Sequence, residues 1–182
     1  APMTYYNLRV EPGAYLTSHT LGDGVLGVLN SFTVGDGIHE GIVSAALYNT
    51  TLSITGSFTV ASGTIFEAPY SSALALGGNV TMQGGFAGNG GTVTFNGGAL
   101  QTISGVPFRI SSGIISNPQR VHINVSDFTA QGNLIIASGA RLRAPSGVFA
   151  LGGNYTNQGR FEHNNGIVEL QGTSRQELSG SL

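Results

Sequence analysis

The stretch Gly56-Ser57-Phe58-Thr59-Val60-Ala61-Ser62-Gly63-Thr64-Ile65-Phe66 decides the architecture. Apolar and small polar residues alternate over four to six positions and glycine closes each run, a period of two that fits strands. A helix is opposed, since each interior glycine weakens it by about 1 kcal/mol. The same grammar continues through Ala73-Leu74-Ala75-Leu76, and then the phrases themselves return. Ala61-Ser62-Gly63 reappears as Ala137-Ser138-Gly139 and Ala68-Pro69 as Ala144-Pro145, both at one offset. After a single deletion a second set of phrases keeps the shortened offset: Leu76-Gly77-Gly78-Asn79 becomes Leu151-Gly152-Gly153-Asn154, and Gln101-Thr102-Ile103-Ser104-Gly105 becomes Gln176-Glu177-Leu178-Ser179-Gly180. One elongated domain is expected, with an irregular β section over 1–55, a first copy over 56–105, a connecting section over 106–131 and a second copy over 132–182.

Within a copy the landmarks fall at a smaller spacing, from Gly56 to Gly78 and then from Asn79 to Gly97. That spacing predicts an all-β chain coiled as a parallel β-helix, or β-solenoid, with turns of about 20 residues and each strand paired with its equivalent one turn later. About nine turns at ~4.8 Å per layer make a rod roughly 40 Å long. Phe58, Val60, Ile65 and Phe66 are expected to face inward, as are their counterparts Leu134, Ile136 and Leu142. Asn79, Asn89, Asn96, Asn133, Asn154 and Asn165 suit corners, in left-handed backbone or as stacked amides. An antiparallel β-sandwich built from the same strands is the alternative.

Composition narrows the function. Among 182 residues there are 29 glycines, no cysteine, no tryptophan and no lysine, and the seven arginines face nine carboxylates for a net charge of -2. Without cysteine there are no disulfides and no thiolate metal sites. A charged fraction of 9%, against the roughly 25% of ordinary domains, and scattered arginines outnumbered by acids, oppose a nucleic-acid partner. No apolar run reaches the ~18 residues of a membrane span, so no membrane insertion of this segment is expected. The chain begins Ala1-Pro2-Met3 with no signal-type segment, which reads as a mature or excised piece.

The phrases Tyr5-Tyr6-Asn7-Leu8, Gly56-Ser57-Phe58-Thr59-Val60, Leu76-Gly77-Gly78-Asn79-Val80-Thr81 and Gly91-Thr92-Val93-Thr94-Phe95-Asn96-Gly97 resemble the repeats of large bacterial cell-surface and secreted β-solenoid proteins. The resemblance covers about two thirds of the chain. It implies extracellular display, a right-handed parallel β-helix and an adhesive or scaffolding role. Residues 10–55 and 106–131 depart from the pattern and leave room for a binding insertion.

Candidate chemistry is sparse. Asp23 and Asp36, each between glycines, are weak calcium candidates, because two single carboxylates fall short of the six to eight oxygens calcium takes. His39-Glu40 lacks a second histidine at zinc spacing. No cofactor is expected. Asn49, Asn79, Asn124 and Asn154 begin N-x-Ser/Thr sequons open to glycosylation, though Asn79 and Asn154 occupy equivalent repeat positions, which favours a turn role. Asp127, Glu162, Glu169 and Glu177 are scattered singly, unlike the paired carboxylates of a polysaccharide-active enzyme. Arg141 and Arg143, two apart on one strand, offer a contact for acidic glycans or a neighbouring subunit. Tyr5, Tyr6, Leu8 and Val10 form a β-favouring terminal segment suited to pairing with another copy. The expectation is a non-enzymatic extracellular structural protein, a subunit or segment of a filament, stalk or matrix that self-associates into a homopolymer. A carbohydrate- or host-binding adhesin module that takes surface glycans is the second reading, and a β-helix polysaccharide-active enzyme the third.

Overall fold

A computed structural model describes residues 2–13 and 17–181. Among them there is no helix, and every paired strand is parallel to its neighbour. β1 (Met3–Val10) and β3 (Val25–Val34) are long and bend across two faces of a three-sided coil. The first half of β3 pairs with β5 (Thr51–Ile54) and its second half with β6 (Ser57–Val60), which opens the two ladders.

The first face continues from β5 through β8 (Leu74–Leu76), β11 (Thr92–Phe95), β14 (Ser112–Ile115), β17 (Leu134–Ile136), β20 (Tyr155–Asn157) and β23 (Leu178–Gly180). The second runs from β6 through β9 (Val80–Met82), β12 (Gln101–Gly105), β15 (Val121–Asn124), β18 (Arg141–Arg143) and β21 (Arg160–Glu162). The third comprises two four-stranded sheets: β2 (Thr17–Thr20), β4 (Gly41–Ser44), β7 (Thr64–Glu67) and β10 (Gly85–Ala87), then β13 (Phe108–Ile110), β16 (Phe128–Ala130), β19 (Val148–Leu151) and β22 (Ile167–Leu170). The strands within 106–131 therefore lie in the same ladders as the rest. The chain is a β-solenoid of about eight turns, and the turns average about 22 residues. Individual turns vary around that mean, the register Leu74↔Val93 closing a short one and Leu26↔Leu52 a long one.

Stacking like on like builds the interior. On the first face one inward column reads Val28, Ile54, Leu76, Phe95, Ile115, Ile136 and Asn157, one residue per turn. An aromatic spine runs beside it, Phe32, Phe58, Phe66, Phe86, Phe108, Phe128, Phe149 and Phe161, with successive ring centroids 5.2–5.9 Å apart. That spacing suits edge-to-face and offset stacking, which adds about 0.5–1.5 kcal/mol per pair beyond the area buried.

Two expectations change. Ile65 is 43% exposed while Phe66 is fully buried, because neighbours along a strand point to opposite faces. Of the six asparagines expected at corners only Asn165 is left-handed; Asn49, not among them, is the other. Asn79, Asn89, Asn133 and Asn154 act through their side chains. Asn79 Oδ1 accepts the Thr102 N–H at 2.9 Å and Asn154 Oδ1 accepts the Glu177 N–H at 2.9 Å, each one turn ahead.

The sequence repeat proves to be a repeated corner. Gln101 Nε2 donates to the carbonyls of Leu76 and Gly78 at 2.8 and 2.7 Å, and Gln176 Nε2 donates to those of Leu151 and Gly153 at 2.9 and 2.7 Å. Gly105 (φ +108°) and Gly180 (φ +95°) close the two copies, and a Cβ on either would collide with the carbonyl oxygen of Met82 or Asn157 in the preceding turn. Both the left-handed backbone and the close approach require glycine there.

Candidate functional site

The predicted site residues do not converge. Asp23 is an exposed residue lining the N-terminal recess beside Met3, Tyr5, Leu8 and Val10. Asp36 lies in the corner after β3 and is already committed: its carboxylate accepts the Ile38 and His39 N–H groups at 2.8 and 2.9 Å and meets His39 Nδ1 at 2.6 Å. These bonds, the backbone His39 one foremost, hold its pKa far below the usual carboxylate range. Among the described residues no group of three or more His, Asp or Glu side chains is placed to hold a metal.

The other carboxylates serve the frame. Asp127 Oδ1 accepts the Val148 N–H at 2.7 Å, Glu169 accepts from Gln171 Nε2 at 2.6 Å, and Glu162 lies 3.3 Å from Arg160 and 3.5 Å from Arg120. Of the four sequon asparagines, Asn79, Asn124 and Asn154 are exposed. Asn49 is half-buried, with Nδ2 donating to Ser71 Oγ and Oδ1 accepting from the Ser71 and Ser72 N–H groups. Tyr5 and Tyr6 of β1 are 41% and 67% exposed, while Leu8 and Val10 pack partly against the core. The far edge of β1 pairs with no strand among the described residues.

Two features stand out once the coil is built. The first is the pair of end faces. At the C-terminal end Ile167, Val168, Leu170 and Leu178 are 46–61% exposed, and a mainly apolar recess between Val168 and Leu178 reaches Phe149, Tyr155 and Phe161, with Asn157 and Ser181 in its wall. Burial pushes the Tyr155 phenol up to about 12, and its hydroxyl has no hydrogen-bond partner. At the other end Met3 is half exposed beside Tyr5. The second feature is the outer side of the second face, where parallel register sets His122, Arg143 and Glu162 in one column and Arg141 and Arg160 in the next. Arg120 precedes them at a corner with φ +151°, rare for a residue with a side chain. The buried Asn117 pins that corner by accepting the Gln119 and Arg120 N–H groups at 2.8 and 3.2 Å. Desolvation first, then Arg143 and Arg120, lower the His122 pKa and favour its neutral form.

Sequence reading paired Arg141 with Arg143 but missed Arg120 and Arg160. The signal was present, since Arg120, Arg141 and Arg160 recur at nearly even intervals, one turn apart each time. Comparison with known protein families, curated proteins and solved structures finds no match to this chain. Among the described residues no helix is long and apolar enough to cross a membrane.

Proposed function

We propose that this chain is a non-enzymatic structural segment of an extracellular filament, stalk or matrix, extended by end-to-end contact with further copies of itself. One observation carries the reading: an apolar interior that runs the length of the coil and opens at both ends, where β21, β22 and β23 at one end and β1 at the other present unpaired strand edges among the described residues. Parallel strands point the same way at both ends, so the C-terminal end of one copy meets the N-terminal end of the next as simply another turn, a head-to-tail contact that propagates. Inter-turn hydrogen bonds run along the rod axis, so tension along it loads every ladder together. A chain rich in Gly, Ser, Thr and Asn, of which only 9% is charged, keeps lateral repulsion small. The surface-protein phrases noted above support display outside the cell.

Sedimentation velocity and negative-stain microscopy across a concentration series test this. Rods should lengthen in steps of roughly 40 Å, the height of eight layers, and Val168→Lys with Leu178→Lys should hold the protein as single rods. Monodisperse single rods of the unaltered protein at every concentration would overturn the proposal.

The adhesin reading is favoured by a separate observation, the arginines of the second face.

A further inference from the structure

We infer that the outer side of the second face, around Arg120, Arg141, Arg143 and Arg160, binds a linear anionic polysaccharide laid along the coil axis. The inference goes beyond the structural role and does not depend on end-to-end assembly.

Charge segregation is its first support. Four of the seven arginines lie on three successive turns of one face with a single carboxylate, Glu162, which gives the patch a net charge of +3 and leaves -5 for the rest of the chain. Glu162 is shared between Arg120 and Arg160. Among the described residues no carboxylate lies within ion-pair distance of Arg141, or of Arg143, whose Nη2 donates to Asn164 Oδ1 at 2.7 Å. Like charges stacked one turn apart repel, and guanidinium groups with free N–H donors suit carboxylate or sulfate oxygens.

The patch is also built. Arg120 is held in unfavourable backbone by a buried asparagine, and its Nε, together with His122 Nε2, is buried without a partner. Such a cost in the frame is the kind that accumulates at binding sites. Beside Arg141 and Arg160 lies a shallow recess floored by Gly139, Ala140 and Gly159.

What distinguishes the ligand is the surface leading away from the arginines. Along the same face the outward column reads Thr33, Thr59, Thr81, Ser104 and Asn124, one hydroxyl or amide per turn. That array offers hydrogen bonds to the hydroxyls of a sugar chain. The phenylalanines of this face, Phe32, Phe58 and Phe161, point inward, the first two fully buried and the third packed against the core, so they give no outward platform for the base stacking on which single-stranded nucleic acid relies.

The test measures binding of the full chain to polygalacturonate, dextran sulfate, neutral dextran and oligo(dT). The triple variant Arg141→Gln, Arg143→Gln, Arg160→Gln is compared with Arg9→Gln, Arg109→Gln, Arg175→Gln, which has the same net charge. Polygalacturonate or dextran sulfate should bind in a salt-sensitive manner, the stronger of the two identifying carboxylate or sulfate as the recognised group. The patch variant should lose more than tenfold in affinity and the control less than twofold. Should the triple variant melt early, Arg141→Gln alone, at an exposed side chain without an ion pair, should still lose about threefold. Equal losses in patch and control variants, binding of neutral dextran as tight as that of the anionic polymers, tighter binding of oligo(dT) than of both anionic polysaccharides, or no binding at all would each overturn the inference.

Discussion

Replacing Phe128 by alanine asks whether the aromatic spine holds the coil together. Phe128 is 1% exposed and sits between Phe108 at 5.2 Å and Phe149 at 5.9 Å. Truncation removes the ring's transfer energy and leaves a cavity between two turns, together about 3–5 kcal/mol. The neighbouring turns cannot close the gap, because their inter-strand hydrogen bonds through Phe108↔Phe128↔Phe149 fix the layer spacing, so the upper part of the range is expected. For a chain of this length that corresponds to a fall in Tm of roughly 6–20 °C. Thermal and urea unfolding followed by far-UV circular dichroism give the number. The matched control is Ile65→Ala, on the same face but 43% exposed, for which about 0.5 kcal/mol or less is expected. Equal losses at the two positions would refute the inward spine and with it the register that separates Ile65 from Phe66.

Three further outcomes follow from particular contacts. Gln101→Leu strips a buried donor from the carbonyls of Leu76 and Gly78 and should cost about 1–3 kcal/mol for each carbonyl left dry, read by urea unfolding beside the smaller loss expected of Gln176→Leu, whose side chain is only half-buried. Asp36 has a folded pKa well below its unfolded value, so the unfolded chain takes up its proton first on acidification; the stabilisation is complete above about pH 5 and lost below it, and Asp36→Asn should flatten the acid limb of Tm against pH. Tyr155 has the opposite sign: its phenol is raised to about 12, so stability is intact below the ordinary tyrosine range and falls as pH climbs through about 10–12. Tyr155→Phe should remove that alkaline loss and, by deleting an unpartnered hydroxyl, raise Tm at neutral pH.

The strands were legible because burial on one side imposes a period of two, and runs such as Ser57–Val60 and Thr92–Phe95 keep it cleanly. Inside and outside were ambiguous at Ile65-Phe66, where two apolar residues adjoin and only the ladder Ile42↔Ile65↔Gly85 against Val43↔Phe66↔Phe86 tells them apart. The basic face was half legible. Arg141 and Arg143 share a strand, whereas Arg120 and Arg160 join them only through the registers between turns, so their nearly even recurrence carries meaning only once the local turn length is known. Asp36, read as a candidate ligand, is spent on its own corner, since an aspartate beside free N–H groups satisfies them first.

The repeat explains how one polypeptide can keep its interior constant while varying its exterior. One copy is displaced from the other by eleven strands, so that β6 corresponds to β17, β7 to β18 and β12 to β23. Eleven is not a multiple of three, and each phrase therefore returns on a different face. Phe58 and Val60 face inward from the second face, and their counterparts Leu134 and Ile136 do so from the first. A strand and its corner form a unit that any of the three sides accepts, because the demands on it are local: alternate apolar residues inward, a side-chain acceptor for the next turn's N–H, glycine where the backbone of the previous turn comes close. The outward positions carry no such demand. β7 and its counterpart β18 show the consequence, with Ile65 and Glu67 pointing out of one and Arg141 and Arg143 out of the other. Cationic side chains can thus be gathered on one side of the coil without disturbing the stack beneath them, and the chemistry of the rod's surface is free to differ from face to face.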